Sequence, residues 1–191
     1  GVISYLGEEH GFLDVPEDVF AAADGTLYVA DTGNNRILRL SDSGEVLAVF
    51  TGPSDLPFNK PSGVFVSPDG SLLVADTMNF RIVHLDPTGG VIETFTRPDS
   101  PLLEEHMTFD PARIELHPTG YLYVLNKSNY MGFMTIDAFG RFRGFIGSTK
   151  VGFSLQTIIL RIFATPEQRQ RIAKRRVPPY SNFVIHDDGF A

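Results

Sequence analysis

The sequence predicts an all-β protein built from four-stranded antiparallel sheets that repeat along the chain. Three observations lead to this prediction. The segment at 24–37, DGTLYVADTGNNRI, recurs at 69–82 as DGSLLVADTMNFRI, with a constant offset of 45 residues. Apolar runs of about five residues alternate with Gly, Pro, Asp and Asn, as in short strands joined by turns. The 16 phenylalanines, 18 glycines and 13 prolines among 191 residues also favour strands and turns.

The second copy shows how one unit is built. Its predicted strands are, in order, 63–67, 71–75, 81–86 and 91–96. Pro68-Asp69-Gly70 is predicted to form the hairpin turn between the first two strands. Asp76 ends the second strand, because Asx side chains bond the backbone ahead of them in turns. Pro87 to Gly90 forms the last turn, so the four strands make an antiparallel meander.

The repeat continues beyond the second copy. A third copy lies 50 residues further on, at 119–129, and keeps the strand but loses the arginine. Gly189 repeats the register once more, so a fourth unit is predicted to begin near Tyr180. The predicted organisation is the end of a preceding blade or a connecting strand at 1–15, units at 16–58, 59–98 and 99–147, a helical insertion at 148–179, and the start of a fourth unit at 180–191.

Tandem four-stranded sheets with apolar residues on both faces are typical of β-propeller blades, each of which packs on its neighbours. The runs LYVADTGNNRI and LLVADTMNFRI, each preceded by a Pro-x-x-Val stretch and an Asp-Gly turn, resemble the NHL repeat of bacterial proteins. The resemblance covers about residues 11–148 and implies an NHL-type propeller of about three and a half blades. Since a ring has about four to eight blades, we expect part of a ring, completed by a remainder elsewhere or by self-association through unclosed blade faces.

Six polar residues recur in the motif of the first two units, and they are Asp31, Asn34, Arg36, Asp76, Asn79 and Arg81. Residues that recur from blade to blade are expected to have a role in the structure of each blade. We therefore interpret them as structural, forming an Asx-stabilised turn and an arginine contact with a neighbouring carbonyl or carboxylate.

One position differs from unit to unit, seven residues before each aligned glycine. It is occupied by Asp18, Gly63, Arg113 and Asn182. In a propeller this position lies at the mouth of the central channel, and Asp18, Arg113 and Asn182 are the predicted ligand-binding residues there. The alternative is that they are rim residues paired with one another. The enlarged connection at 97–110 and the insertion share one side of the disc with the motif turns, and this side is the predicted binding face.

The insertion is predicted to contain two helices. Leu155, Ile158, Ile159, Ile162 and Phe163 form one apolar helical stripe, and Thr165-Pro166 is a start signal for the second helix. The segment 151–180 carries +5 of the net charge of −7, which leaves −12 for the rest. The basic residues predicted to meet a partner or a surface are Arg169, Arg171, Lys174, Arg175 and Arg176. The segment either binds an anionic membrane or RNA, or it packs on the acidic disc, and packing is the favoured interpretation. Binding of nucleic acid is disfavoured, because the segment lacks aromatic residues interleaved with its arginines.

Catalytic signals are sparse. The absence of cysteine excludes disulfides and thiol nucleophiles, and no phosphate-binding or nucleophile-elbow motif is present. The five histidines lack metal-ligand spacing. We therefore expect a non-enzymatic binding or scaffold module that recognises a protein, peptide or carbohydrate, without a cofactor. The alternative is a metal-dependent hydrolase or lyase, since lactonase-like propellers resemble NHL proteins and hold calcium at the channel mouth. The resemblance also favours an extracytoplasmic location.

Overall fold

The computed structural model of the chain describes residues 5–104, 106–128 and 132–147, together with two short strands at 185–186 and 189–190. It contains three four-stranded antiparallel sheets, each a meander in chain order, which we call the first, second and third blades. The first blade comprises β1 (Pro16–Ala21), β2 (Leu27–Asp31), β3 (Arg36–Leu40) and β4 (Val46–Phe50). The second comprises β5 (Pro61–Val66), β6 (Leu72–Asp76), β7 (Arg81–Leu85) and β8 (Val91–Phe95). The third comprises β9 (Pro111–Leu116), β10 (Leu122–Asn126), β11 (Phe133–Ile136) and β12 (Phe142–Ile146).

The prediction of an all-β, NHL-type propeller fold is confirmed. The strands of the second blade differ from the predicted ones by one or two residues at their ends, mainly because β5 begins at Pro61, a position where a strand tolerates proline. The predicted helical insertion at 148–179 lies outside the described residues. Within the predicted fourth unit, β13 (Ile185–His186) and β14 (Gly189–Phe190) pair antiparallel. No helix in the described part of the chain is both long enough and apolar enough to cross a membrane.

The first three strands of the second blade, β5 to β7, are buried on both faces, which explains their largely apolar sequences, whereas β8 is mostly exposed. Leu72 and Val74 belong to the core shared with the first blade, whereas Leu73 and Ala75 belong to the core shared with the third. This alternation follows from the two-residue period of a strand. Fully burying a Leu or Val side chain contributes about 1.5–3 kcal/mol, so blade-to-blade packing is the main source of stability here.

The outer face of the first blade has a different cover. Leu6 and Leu13, in the segment before β1, pack against the buried core residues Val29, Leu38 and Leu40. This segment forms a turn closed by an isolated bridge between residues 5 and 12. On the same face, the exposed apolar side chains of the strands are Val19 on β1 and Leu47 and Val49 on β4. Self-association through such a face stays a prediction.

The meander places the loops on two faces of the disc. The first strands of the blades, β1, β5 and β9, contact one another and form the inner edge. The top face consists of the turns between second and third strands and the segments that lead into each blade, namely 10–15, 32–35, 51–60, 77–80, 97–110 and 127–128. The bottom face consists of the remaining turns, at 22–26, 41–45, 67–71, 86–90, 117–121 and 137–141. Thr77 illustrates the top-face arrangement, since its hydroxyl donates to the carbonyl of Pro111 at the start of the next blade, at 2.7 Å.

Candidate functional site

The motif carboxylate of the second blade is fully engaged within that blade. Asp76 is 0% exposed, and its Oδ1 accepts a hydrogen bond from the backbone N–H of Asn59 at 2.7 Å. Its Oδ2 accepts bonds from Asn79 Nδ2 at 2.9 Å and from Arg81 Nε at 2.7 Å. Arg81 also donates through Nη2 to the carbonyl of Leu56. The cluster fastens the turn after β6 to the segment that leads into the blade.

The first blade repeats this cluster with the same lengths. Asp31 accepts from the N–H of Asp14 at 2.7 Å, from Asn34 Nδ2 at 2.9 Å and from Arg36 Nε at 2.7 Å. Arg36 also donates through Nη2 to the carbonyl of His10 at 2.8 Å. The motif side chains of both blades are thus bonded to one another and to backbone groups of their own blade.

The third blade replaces the cluster. Asn126 stands where the other blades have aspartate, and its side-chain oxygen and nitrogen are buried with no partner among the described residues. Asp110 also ties the turn after β10 to the segment that leads into the blade, because its carboxylate accepts hydrogen bonds from the backbone N–H and the hydroxyl of Ser128. The third repeat therefore departs from the motif in its bonding as well as in its sequence.

Two of the predicted channel-mouth residues lie side by side. Arg113 Nε is 3.6 Å from Asp18 Oδ1, and Asp18 Oδ2 accepts a bond from the N–H of Val64 at 3.0 Å. Asn182 lies outside the described residues, as do the basic residues predicted for the insertion. What the structure adds is that both side chains are turned towards the neighbouring blades.

The guanidinium of Arg113 joins three blades. Its Nη1 donates to the carbonyl of Ser62 in the second blade at 2.6 Å and to that of Ala112 in its own blade at 2.9 Å. Its Nη2 donates to the carbonyl of Glu17 in the first blade. Both terminal nitrogens are therefore committed to backbone oxygens.

A second charged pair at the channel mouth was missed by the sequence reasoning. Lys127 Nζ lies 2.8 Å from Glu17 Oε2, which links the third blade to the first. The signal was present in the repeat, because Lys127 occupies the position of Thr32 and Thr77. A sequence cannot show that the lysine reaches a blade two units away.

The two carboxyls at the channel mouth are shifted in opposite directions. Burial is the main influence on Asp18, and it raises the pKa of that carboxyl despite the N–H of Val64 and the charge of Arg113. Burial also acts to raise the pKa of Glu17, but hydrogen bonds from Lys127 and Ser62 and the charges of Lys127 and Arg113 outweigh it, so this pKa is lowered. Burial therefore favours the protonated form of Asp18, whereas the bonds and charges around Glu17 favour its charged form.

These shifts predict opposite pH dependences for the two neighbouring residues. The raised pKa of Asp18 gives a contribution to stability that is present below about pH 4 and is lost as the pH rises. The lowered pKa of Glu17 gives a contribution that is present above about pH 4 and is lost as the pH falls. Relative to Asp18→Asn, the unfolding free energy of the wild type should fall as the pH rises from below about 4 towards neutral. Relative to Glu17→Gln, the unfolding free energy of the wild type should rise over the same pH range. Urea unfolding of the three proteins over this range tests both signs, and differences in unfolding free energy that do not change with pH would refute them.

The described side chains of the channel mouth do not fit a calcium ion. Calcium takes about six to eight oxygen ligands, several of them anionic. The described part of the chain holds no group of three or more His, Asp or Glu side chains placed to bind a metal. At the mouth, the carboxylates of Glu17 and Asp18 are balanced by Lys127 and Arg113. A divalent cation would have to displace those two positive charges.

The enlarged connection at 97–110 forms a built loop on the top face. Arg97 donates to the carbonyls of Glu104 at 2.9 Å and of Met107 at 3.2 Å, which closes the loop on itself. Leu103 and Phe109 are buried in the core between the second and third blades. Leu102, by contrast, is 76% exposed. The loop is therefore anchored by its buried side chains Leu103 and Phe109, and it presents the apolar side chain of Leu102 to solvent.

Exposed apolar side chains are unevenly distributed between the two faces. Those of the described top face are Phe12, Val15, Leu56, Met78, Phe80 and Leu102. Among the described turns of the bottom face, Phe139 is the one large apolar side chain that is comparably exposed. Sequence reasoning selected the same face from its loop lengths, but it did not identify these side chains.

The comparisons with known proteins agree with this architecture. A family model described as NHL repeat matches residues 58–85, and no curated protein matches the chain. A catalytically inactive virginiamycin B lyase from Staphylococcus aureus, with quinupristin, has a TM-score of 0.53 at 18% identity, and the match covers 72% of this chain and 43% of the lyase. A protein of unknown function from Bacteroides caccae has a TM-score of 0.53 at 16% identity, and the match covers 71% of this chain and 50% of that protein. Kuenenia stuttgartiensis hydrazine synthase has a TM-score of 0.54 at 16% identity, and the match covers 71% of this chain and 37% of the synthase chain.

The chain thus spans half or less of the length of each of these structures, and at such identities the likeness is one of fold. The NHL match falls on the second blade, whose carboxylate–arginine cluster recurs in the first. The chain therefore has an NHL-type β-propeller fold, with an NHL repeat at residues 58–85.

Proposed function

We propose that the chain is a non-enzymatic binding module that recognises a protein or peptide partner on its top face. One observation carries the proposal, namely the concentration of exposed apolar side chains on the described top face. Apolar side chains gathered on one exposed face mark interaction surfaces, whereas apolar side chains scattered singly do not. A few side chains carry most of the binding energy of an interface. We expect Leu102 and Phe80 to be among them, because both are exposed apolar side chains on described top-face loops.

The bonding of the polar residues supports a binding role over catalysis. The motif aspartates, asparagines and arginines of the first two blades are bonded within their own blades, and Arg113 is bonded to backbone oxygens. Such groups stabilise the scaffold and are not available to exchange protons with a substrate. The rigid disc then serves to hold the top-face loops in a fixed arrangement.

The alternative is a lyase or hydrolase, since one similar structure is a virginiamycin B lyase. Its support is the likeness of fold, and a fold does not determine an activity. The charge balance between Glu17, Asp18, Arg113 and Lys127 speaks against a calcium centre at the described channel mouth. A rise in melting temperature with added calcium would favour this alternative over the binding module.

Peptide selection tests the top-face proposal. Peptides selected from a random phage library on the immobilised protein should lose at least about tenfold in affinity for Leu102→Asp and for Phe80→Asp, because a charge replaces an apolar anchor. Phe139→Asp is the matched control, since Phe139 is 80% exposed but lies on the bottom face. The proposal fails if the selected peptides bind all three variants equally or lose affinity for Phe139→Asp alone.

A further inference from the structure

A large cleft opens on the bottom face between the first and second blades. Its volume is about 740 Å³, and three aromatic residues, Phe20, Tyr28 and Phe65, are among those that line it. The rings of Phe20 and Phe65 pack edge to face with centroids 5.3 Å apart. Their mutual packing gives the cleft a fixed apolar wall.

Two residues that line this cleft have buried polar atoms without a partner in the described structure. They are the hydroxyl of Ser67, a residue that is only 8% exposed, and the Nε–H of Arg39. The guanidinium of Arg39 is held in place, because its Nη2 donates to Asp24 Oδ2 at 3.0 Å and its centre lies 5.7 Å from the ring centroid of Tyr28. A rotation about one side-chain bond redirects a serine hydroxyl. A ligand with hydrogen-bonding groups would pair with the redirected hydroxyl of Ser67, which an apolar ligand would leave unpaired.

The charges around the cleft exclude an anion. Hydrogen bonds from Thr26 lower the pKa of Asp24, and hydrogen bonds from Ser71 lower that of Asp69. Both carboxyls therefore carry a full negative charge at neutral pH, and both line the cleft together with Arg39. Asp24 is paired with Arg39 at 3.0 Å, so the charge of Asp69 is left unbalanced at the cleft and disfavours an anionic ligand. A neutral ligand avoids this repulsion.

We propose that this cleft binds a neutral carbohydrate, separately from the partner of the top face. The apolar face of a pyranose ring packs on the aromatic wall, and its neighbouring hydroxyls both donate and accept hydrogen bonds. They donate to the carboxylate of Asp69, and they accept from the partly exposed guanidinium of Arg39 and from the hydroxyl of Ser67 after it rotates. An extended peptide directs its backbone groups to the sides and its side chains to alternate faces, so it offers fewer such groups along one edge.

The next cleft along the ring provides a matched comparison. It lies between the second and third blades and has a volume of about 210 Å³. Leu73 and His84 occupy the positions that Tyr28 and Arg39 occupy in the first cleft. His84 is already paired, since its Nε2 lies 3.0 Å from the hydroxyl of Ser71. The smaller cleft should not bind the same ligand.

Saturation-transfer NMR with the neutral disaccharides cellobiose, N,N′-diacetylchitobiose and mannobiose tests the proposal. At least one should bind with a dissociation constant on the order of 1 mM or tighter. Arg39→Met and Ser67→Ala should each weaken binding at least about fivefold, whereas Glu93→Ala, at a residue that lines the smaller cleft, should leave it unchanged. Melting curves identify any variant that fails to fold, and two independent variants keep the result interpretable.

Three outcomes would overturn the carbohydrate site without affecting the top-face proposal. None of the disaccharides gives a signal, or the signal is the same in both cleft variants as in the wild type. In the third outcome, glucuronic acid or a proline-rich peptide binds the cleft more tightly than the neutral sugars do.

Discussion

Replacing Gly63 by alanine is expected to lower the unfolding free energy by about 2–3 kcal/mol, because the added methyl group has no room. Gly63 lies on β5 at the inner edge of the disc, where β5 contacts β9. A Cβ atom there would overlap the carbonyl oxygen of Ala112, which is backbone and cannot turn away. The same substitution would separate the carbonyl of Ser62 from Arg113, which joins the three blades.

Gly90→Ala is the matched control for this result. A Cβ atom at Gly90 would meet the carboxylate of Asp86, a turn side chain that can move without a backbone shift, although it would give up hydrogen bonds from Thr88 and Gly90. We expect it to cost about 1 kcal/mol or less. Urea denaturation followed by circular dichroism compares the two variants. Equal effects would mean that the close approach of the inner strands is not the cause.

Asp76→Ala is expected to lower the unfolding free energy by about 3–5 kcal/mol, because it leaves the buried positive charge of Arg81 without its partner. Arg81 Nε would lose its bond to Asp76, and the N–H of Asn59 would lose its acceptor. Asp31→Ala should have a similar effect, since Asp31 makes the same contacts in the first blade. Denaturant unfolding measures both variants.

The third blade supplies the control for the motif. Asn126 occupies the same repeat position, but its side chain has no hydrogen-bond partner among the described residues. Asn126→Ala should therefore cost about 1 kcal/mol or less. The double variant Asp76→Ala/Arg81→Met should recover part of the loss of Asp76→Ala, because the unpaired charge is removed. If Asn126→Ala lowers the unfolding free energy as much as Asp76→Ala does, the stabilising role assigned to the Asp76 carboxylate is contradicted.

The sequence alone allows most of the blade architecture to be predicted, because a blade is made from local signals. The recurring Asp, Asn and Arg of the motif lie within a single turn and the strands beside it, so their spacing predicts where the turn forms. The ends of β5 and β6 differ from the predicted ends by one or two residues, since strand ends depend on pairing with the next strand.

The contacts between blades are not predictable in the same way. Arg113 donates to the carbonyl of Glu17, and Lys127 pairs with the side chain of Glu17, across about a hundred residues of sequence. The repeat showed which positions vary, but only the placement of three blades around a common edge shows which of them meet. The exposed side chains Phe80 and Leu102 and the cleft beside Arg39 likewise depend on how the blades pack.

Hydrogen exchange of the wild-type chain, with and without a selected peptide, tests most directly the central claim that the top face is the binding surface. We expect the peptide to slow exchange at 77–80 and 97–110, while the bottom-face turns at 67–71 and 137–141 keep their free rates. Protection confined to the bottom-face turns, with no change at 77–80 and 97–110, would contradict the claim.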